Sequence, residues 1–128
     1  MTVGVGIDLV EIARVERMLD AKGAHVMRRL LTLSEAAYCE GKARRAQHVA
    51  VRLAAKEAAF KALSGTEEAR GIGWREIEVI SGADGRPSLL FHGRARARAA
   101  ELGVTRASLS LTHTETTAGA VVVLDGAP

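Results

Sequence analysis

Apolar residues follow two different spacings along the first half of the chain, and each spacing predicts one kind of element. Residues 3–9, within VGVGIDLVEI, are almost continuously apolar and predict a buried strand. From residue 11 to 22 apolar side chains recur every three or four positions, which predicts a helix that ends at Gly23. The Ala-rich segment AQHVAVRLAAKEAAFKAL at 46–63 is the strongest helix signal.

The remaining segments predict short elements separated by turns. A short helix is expected from Thr32 or Ser34 to about Cys39, because Thr and Ser are favoured N-cap residues. Asp84-Gly85 is a tight-turn signal that predicts a β-hairpin. The other expected elements are a strand at 74–80, a helix at 93–102 that ends at Gly103, and strands at 107–113 and 118–124. The order β-α-α-α-β-β-α-β-β predicts one α+β domain over residues 1–128, with a mostly antiparallel sheet packed against the long helix.

Two charged residues interrupt apolar surroundings. Asp8 lies inside the first strand, where a carboxylate costs several kcal/mol unless it is paired or coordinated. On a helical wheel, Lys56 falls among the apolar residues of the long helix. The core-facing positions are Val49, Leu53, Phe60 and Leu63, beside a stripe of small residues at Ala50, Ala54 and Ala58.

Composition narrows the possible functions. No apolar run reaches the roughly 20 residues that a membrane helix needs, so a cytoplasmic protein with no membrane association is expected. Cys39 is the only cysteine, which excludes an internal disulfide and a cysteine-rich zinc site. Residues 14–61 contain eleven Lys or Arg residues against five Asp or Glu residues, which indicates an anionic partner.

The residue types favour magnesium over other site chemistry. Glu57 and Lys61 are four residues apart beside the small-residue stripe, a spacing that is also typical of a surface ion pair. With Asp8, Glu57 would supply the one or two carboxylates that Mg²⁺ takes alongside substrate phosphates. Gly4 and Gly6 lie within the strand and lack a third glycine, so a dinucleotide-binding motif is not indicated.

Five segments, in order, resemble motifs of the holo-acyl-carrier-protein synthases, which are small phosphopantetheinyl transferases. GVGIDLVEI is similar to that family's opening strand, and RLAAKEAAFKAL resembles its K-E-A-x-x-K helix. RRLLTLSE, DGRP and SLSLTHTETTAGAVVV resemble its other motifs. The resemblance covers nearly the whole chain and implies transfer of 4′-phosphopantetheine from coenzyme A to a serine of an apo-acyl carrier protein. It implies the family's fold, assembled as a homotrimer, and a role in fatty acid or polyketide synthesis.

The resemblance also implies roles for individual residues. Asp8 and Glu57 would bind Mg²⁺, and Lys61 would contact the transferred phosphate, so these three are the candidate catalytic residues. With Lys61, the expected coenzyme A site comprises Arg52, Gly65, Gly85, Arg86, Pro87, His113 and Thr114. The acidic recognition helix of the carrier protein would dock on Arg14, Arg17, Met18 and Arg28.

The sequence departs from the family in the segment after the long helix. The family commonly has G-T-G there, whereas this chain has Ser64-Gly65-Thr66-Glu67-Glu68.

A small basic nucleic-acid-binding module is the alternative function, since it would also explain the excess of Lys and Arg. Only 3% of residues are aromatic and no groove-reading motif is present, which disfavours that alternative.

Overall fold

The computed structural model describes residues 1–64 and 68–128, and the order of elements is the expected one. The α+β prediction is confirmed. The chain forms β1 (Thr2–Glu11), α1 (Ile12–Leu30), α2 (Leu33–Glu40), α3 (Arg45–Leu63), β2 (Ile77–Ser81), β3 (Pro87–Phe91), α4 (Gly93–Glu101), β4 (Val104–His113) and β5 (Thr117–Gly126), with 3₁₀ turns at Glu68–Gly71 and Trp74–Glu76.

All strand pairs of the described chain are antiparallel, and the strands form two sheets. The larger sheet has the order β1-β5-β4, and β2 pairs with β3 in a separate hairpin. The turn between β2 and β3 places Gly85 at a φ of 82°, which explains the glycine of the Asp84-Gly85 signal. Helix α3 packs across β1 and β5 and thereby forms the centre of the core.

Helix α1 is longer than the sequence suggested. The expected end at Gly23 is wrong: α1 is interrupted at Lys22, where φ is −148° and ψ is 51°, and then continues to Leu30. The extension buries Val26 and Met27 as well as Leu30. Burial of these three apolar side chains at helical spacing outweighs the local signal from one glycine.

The segment 74–80 forms a strand only in its second part. Residues 74–76 form a 3₁₀ turn, and β2 begins at Ile77. The Glu76 carboxylate accepts hydrogen bonds from the backbone N–H groups of Gly73 at 2.5 Å and Arg94 at 2.6 Å. Both bonds hold Glu76 in the turn, so the strand begins only at Ile77.

The two glycines of β1 allow this strand to lie directly against α3. A Cβ atom added at Gly6 would lie 1.8 Å from the Ala58 carbonyl oxygen, and one at Gly4 would lie 2.3 Å from that of Ala62. Both distances are far below van der Waals contact. Ala50, Ala54 and Ala58 of the predicted small-residue stripe are fully buried, and β1 approaches α3 most closely at Ala58 and Ala62.

The opposite face of β1 is uncovered within the chain. Val5, Ile7 and Leu9 are 59%, 62% and 69% exposed. The almost continuous apolar pattern predicted a strand packed on both faces, but only the face with Gly4, Gly6 and Val10 contacts this chain's core. The exposed apolar residues therefore form a surface without a partner in the described chain.

We expect Gly6→Ala to destabilise the fold by about 3 kcal/mol, because its methyl group would collide with a helix carbonyl that cannot move independently of α3. Urea unfolding measures the loss. Gly41→Ala is the matched control, since no atom lies within 4 Å of a Cβ added at Gly41 and its φ of −83° suits alanine. Equal stability of the two variants would contradict the close-packing argument.

Candidate functional site

The structure brings together Asp8, Glu57 and Lys61, the three residues predicted to be catalytic. Asp8 lies on the face of β1 that α3 covers, and its side chain is 12% exposed. The Lys61 ammonium donates hydrogen bonds to Asp8 Oδ1 at 2.8 Å and to the Ile7 carbonyl at 3.0 Å. The alternative of a surface Glu57–Lys61 pair is wrong, because the ion pair of Lys61 is with Asp8.

The two carboxyl groups share one polar site. Burial, a hydrogen bond to Asp8 and the charge of Asp8 raise the pKa of Glu57 from 4.5 to about 7. Burial would raise the pKa of Asp8 too, but hydrogen bonds from Glu57 and Lys61 lower it overall. Near neutral pH, Glu57 therefore exchanges a proton while Asp8 remains ionised.

This arrangement fits a hard divalent cation. Asp8 Oδ2 is buried and, in the described chain, has no donor other than a protonated Glu57. No group of three or more His, Cys, Asp or Glu residues capable of holding a metal is found within residues 1–64 and 68–128. Two carboxylates with an unsatisfied oxygen suit Mg²⁺, which takes one or two protein carboxylates and completes its shell with phosphates and water.

A cavity of about 440 Å³ is lined by Glu57 and Lys61, and we call it the arm cavity. Glu57 and Lys61 of α3 lie on one side of this cavity. The other side, which we call the far wall, is formed by Trp74 of the 3₁₀ turn at Trp74–Glu76 and by Ile77 of β2. The remaining lining residues are Lys56, Phe60, Arg70 and Ile72. Phe60, expected in the core, is only half-buried because it lines this cavity.

A second cavity of about 360 Å³, the nucleotide cavity, contains four of the residues predicted to bind coenzyme A. They are Arg52, Gly85, Pro87 and His113. The Arg52 guanidinium lies 4.3 Å from the centre of the Tyr38 ring and donates to the His48 carbonyl at 3.2 Å. Its Nε is buried and has no acceptor among the residues described, so it remains available to an anion.

The other residues predicted to bind coenzyme A are not in this lining. Arg86 is exposed, and its backbone N–H donates to Asp84 Oδ1 at 3.0 Å. The Thr114 hydroxyl accepts the backbone N–H groups of residues 116 and 117, so it organises the β4–β5 turn. Gly65 lies outside the described residues, as do Thr66 and Glu67 of the atypical segment.

Sequence reasoning missed five polar residues of the nucleotide cavity. They are Tyr38, Gln47, His48, Ser81 and Ser110. His48 could have been found, because it precedes Arg52 by one helical turn. Gln47 contacts His113 at 3.2 Å between their Nε2 atoms. Tyr38 and Ser81 come from α2 and β2, and no local pattern connects them to α3.

The predicted carrier-protein dock lies on α1. Arg14, Arg17 and Arg28 are exposed, and Met18 is half-buried. Within the described part of the chain, none of these arginines forms an ion pair. Arg14 is close enough to Glu57 for its positive charge to lower the pKa of that carboxyl, against the effect of burial. Arg14 is therefore the dock residue that lies near the Asp8–Glu57 site.

None of the described helices has the length and apolar character required to cross a membrane.

Comparison with known families gives a match over almost all of the sequence. Residues 4–121 match the model of the 4′-phosphopantetheinyl transferase superfamily. The chain is 41% identical over 125 residues to the holo-[acyl-carrier-protein] synthase of Geobacter metallireducens, covering 98% of each chain.

Solved structures give the same result. A holo-(acyl-carrier-protein) synthase from Bacillus anthracis, in complex with CoA (3',5'-ADP), matches with a TM-score of 0.80 and 35% identity over 99% of both chains. The holo-[acyl-carrier-protein] synthase of Neisseria meningitidis matches with a TM-score of 0.85 and 29% identity, over 98% of this chain and 99% of that one. These matches give no support to the nucleic-acid-binding alternative.

The shared carboxyl site predicts an unusual titration in the absence of metal. We expect Glu57 to titrate at about 7, and Asp8→Asn to lower that pKa by removing the neighbouring negative charge. Because burial remains, the value should stay above 4.5. Carboxyl ¹³C NMR of the metal-free protein measures both values. Asp20→Asn, an exposed change on α1, is the control, and an unchanged Glu57 pKa in Asp8→Asn would contradict the coupling.

Proposed function

The chain belongs to the 4′-phosphopantetheinyl transferase superfamily, and on that premise we propose that it acts as a holo-[acyl-carrier-protein] synthase. It transfers 4′-phosphopantetheine from coenzyme A to a serine of apo-acyl carrier protein and releases adenosine 3′,5′-bisphosphate. The observation that carries this proposal is the meeting of Asp8, Glu57 and Lys61 at the arm cavity, which Glu57 and Lys61 line. The serine hydroxyl releases its proton to solvent and its oxygen forms a bond to the β-phosphorus of coenzyme A. The bond from that phosphorus to the bridging oxygen breaks, and this oxygen leaves with adenosine 3′,5′-bisphosphate.

Asp8 and Glu57 are the residues that would hold Mg²⁺. When bound, the ion supplies charge neutralisation for the pyrophosphate. Lys61 already lies beside Asp8, so its ammonium can contact the transferred phosphate and stabilise the negative charge that develops on the departing bisphosphate. Phosphoryl transfer depends mainly on such positioning and neutralisation, which explains why few residues suffice.

The two halves of coenzyme A would occupy the two cavities. Arg52, with its free buried Nε, suits the phosphates of the nucleotide half, and Tyr38 and His113 provide ring surfaces near it. The pantetheine arm would lie in the arm cavity, whose mouth carries Glu57 and Lys61. The linings of the two cavities share no residue, so a nucleotide cavity and an arm cavity from neighbouring subunits can form one site.

We therefore propose a homotrimer. The exposed apolar face of β1, at Val5, Ile7 and Leu9, supports this assembly, because a second copy would remove it from water. The three copies would place active sites between subunits.

The partner would be an acidic carrier protein of fatty acid or polyketide synthesis, and we place the reaction in the cytoplasm, where coenzyme A is available. Arg14 and Arg17 would bind its acidic helix, with Met18 as an apolar contact and Arg28 at the far end of α1. Since Arg14 adjoins the Glu57 site, a carrier docked there presents its serine to the transferred phosphate.

Intact-protein mass spectrometry tests the reaction. Incubated with coenzyme A and Mg²⁺, an apo-carrier protein should gain the mass of one phosphopantetheine group. Asp8→Asn and Glu57→Gln should each lower the rate by about 100-fold or more, because each removes charge that holds the metal. Both variants should keep a native mass of three times 13.5 kDa.

The control for these variants is Glu101→Gln, which alters an exposed carboxylate on α4 and should retain the rate. No mass gain with several carriers would overturn the proposed function. Unchanged Mg²⁺-dependent rates in both variants would overturn only the metal assignment, and a monomeric mass would overturn the trimer.

Charge reversal tests the carrier-protein dock. Arg14→Glu and Arg17→Glu should each raise the KM for carrier protein about tenfold, equivalent to about 1.4 kcal/mol, and leave the KM for coenzyme A unchanged. Steady-state kinetics at two salt concentrations measures both. Arg96→Glu introduces the same charge change on exposed α4 and is the control. If the KM for carrier protein is the same in Arg14→Glu, Arg17→Glu and Arg96→Glu, the dock lies elsewhere.

A further inference from the structure

Lys56 is a buried cation that the mechanism above does not use. Its side chain is 1% exposed, although the neighbouring Glu57 belongs to the metal site. The ammonium donates three hydrogen bonds: to Glu35 Oε1 at 2.8 Å, to the Trp74 carbonyl at 2.9 Å and to the Ile77 carbonyl. All three of its protons therefore have acceptors.

Two of those acceptors belong to the far wall of the arm cavity. Trp74 begins the 3₁₀ turn and Ile77 begins β2, and both residues line the cavity opposite Glu57 and Lys61. The Lys56 side chain extends from α3 to this wall. Because an ammonium fixes two main-chain carbonyls at hydrogen-bond distance, it sets how far the wall stands from α3.

The third acceptor is itself held in place by backbone groups. Glu35 Oε1 accepts the Thr32 N–H at 2.9 Å, which closes the capping box of α2, and Oε2 accepts the Val79 N–H at 2.9 Å. The Glu35 side chain is fully buried. Lys56 thus joins α2, α3 and β2 at one point.

Stability alone does not account for this ion pair. Burying two charges costs several kcal/mol each, and apolar side chains of similar volume often give equal or greater stability. A methionine at position 56 could fill the space, but it could not fix two carbonyls. The geometry therefore favours a role in orientation.

We propose that Lys56 is a positioning residue that fixes the Trp74–Ile77 wall of the arm cavity and thereby governs binding of the pantetheine arm of coenzyme A. This inference rests on the proposed function. It concerns the arm, since Lys56 and its three bonded residues are absent from the lining of the nucleotide cavity, which the network reaches through Val79, the donor to Glu35 Oε2.

Two ligands separate this role from a general loss of structure. In Lys56→Met, the KM for coenzyme A should rise about tenfold with kcat changed less than about twofold. Adenosine 3′,5′-bisphosphate, which has no arm, should bind within about twofold of wild type by calorimetry. The same calorimetry with coenzyme A should show the tenfold loss without requiring turnover.

Two further variants address folding. Lys56→Met leaves Glu35 buried and unpaired. The double variant Lys56→Met/Glu35→Gln removes that charge, although the Gln amide group can accept only one of the two backbone N–H groups, so it should be more stable than Lys56→Met without regaining affinity for coenzyme A. Glu35→Gln alone leaves both carbonyl bonds of Lys56 in place, so it should bind coenzyme A within about twofold of wild type.

The outcomes distinguish this inference from the proposed function. Equal losses of affinity for coenzyme A and the bisphosphate would overturn the positioning role, as would wild-type affinity for coenzyme A in the folded double variant. If the wild-type protein binds coenzyme A and transfers the arm, and the Lys56→Met variants behave like the wild type, only the Lys56 role is overturned. A wild-type protein that binds neither ligand overturns both proposals.

Discussion

The contact between the glycines of β1 and the backbone of α3 is the constraint on which the site depends. Gly6 lies where any Cβ would overlap the Ala58 carbonyl, so strand and helix approach more closely than side chains normally allow. Asp8 follows on the same face of β1, and Glu57 and Lys61 lie on the adjoining part of α3. The approach that buries the glycines thus also brings the carboxylates together.

That proximity has an electrostatic consequence. Burial of Glu57 and the neighbouring Asp8 together raise the pKa of Glu57 to about 7, because two carboxyl groups held away from water cannot both ionise freely. Lys61 partly compensates Asp8, but it is itself half-exposed, and Asp8 Oδ2 still lacks a donor in the described chain when Glu57 is ionised. The excess of negative charge at this site favours binding of a cation. Phosphoryl transfer from a pyrophosphate requires such a cation to neutralise the phosphates.

Two other features of the structure adjoin that site. The Lys56–Glu35 pair lies behind it and connects the far wall of the arm cavity to α3. The exposed apolar face of β1 lies on the opposite side of the same strand. One strand therefore presents the candidate metal-binding carboxylate to its own helix, and an apolar surface that a neighbouring subunit would cover in the proposed trimer.

The sequence by itself determined the order of the elements, the glycine-bearing strand and the Ala stripe, because periodicity and turn chemistry are local properties. An unpaired carboxylate in an apolar strand requires a partner, but the choice of Glu57 as the partner of Asp8 came from the family resemblance of the K-E-A-x-x-K helix. Tertiary structure alone decided the continuation of α1 past Gly23, because burial of side chains beyond it outweighs one glycine. It also decided the split into two sheets and the presence of Tyr38 and Ser81 beside Arg52, which depend on contacts between segments far apart in the chain.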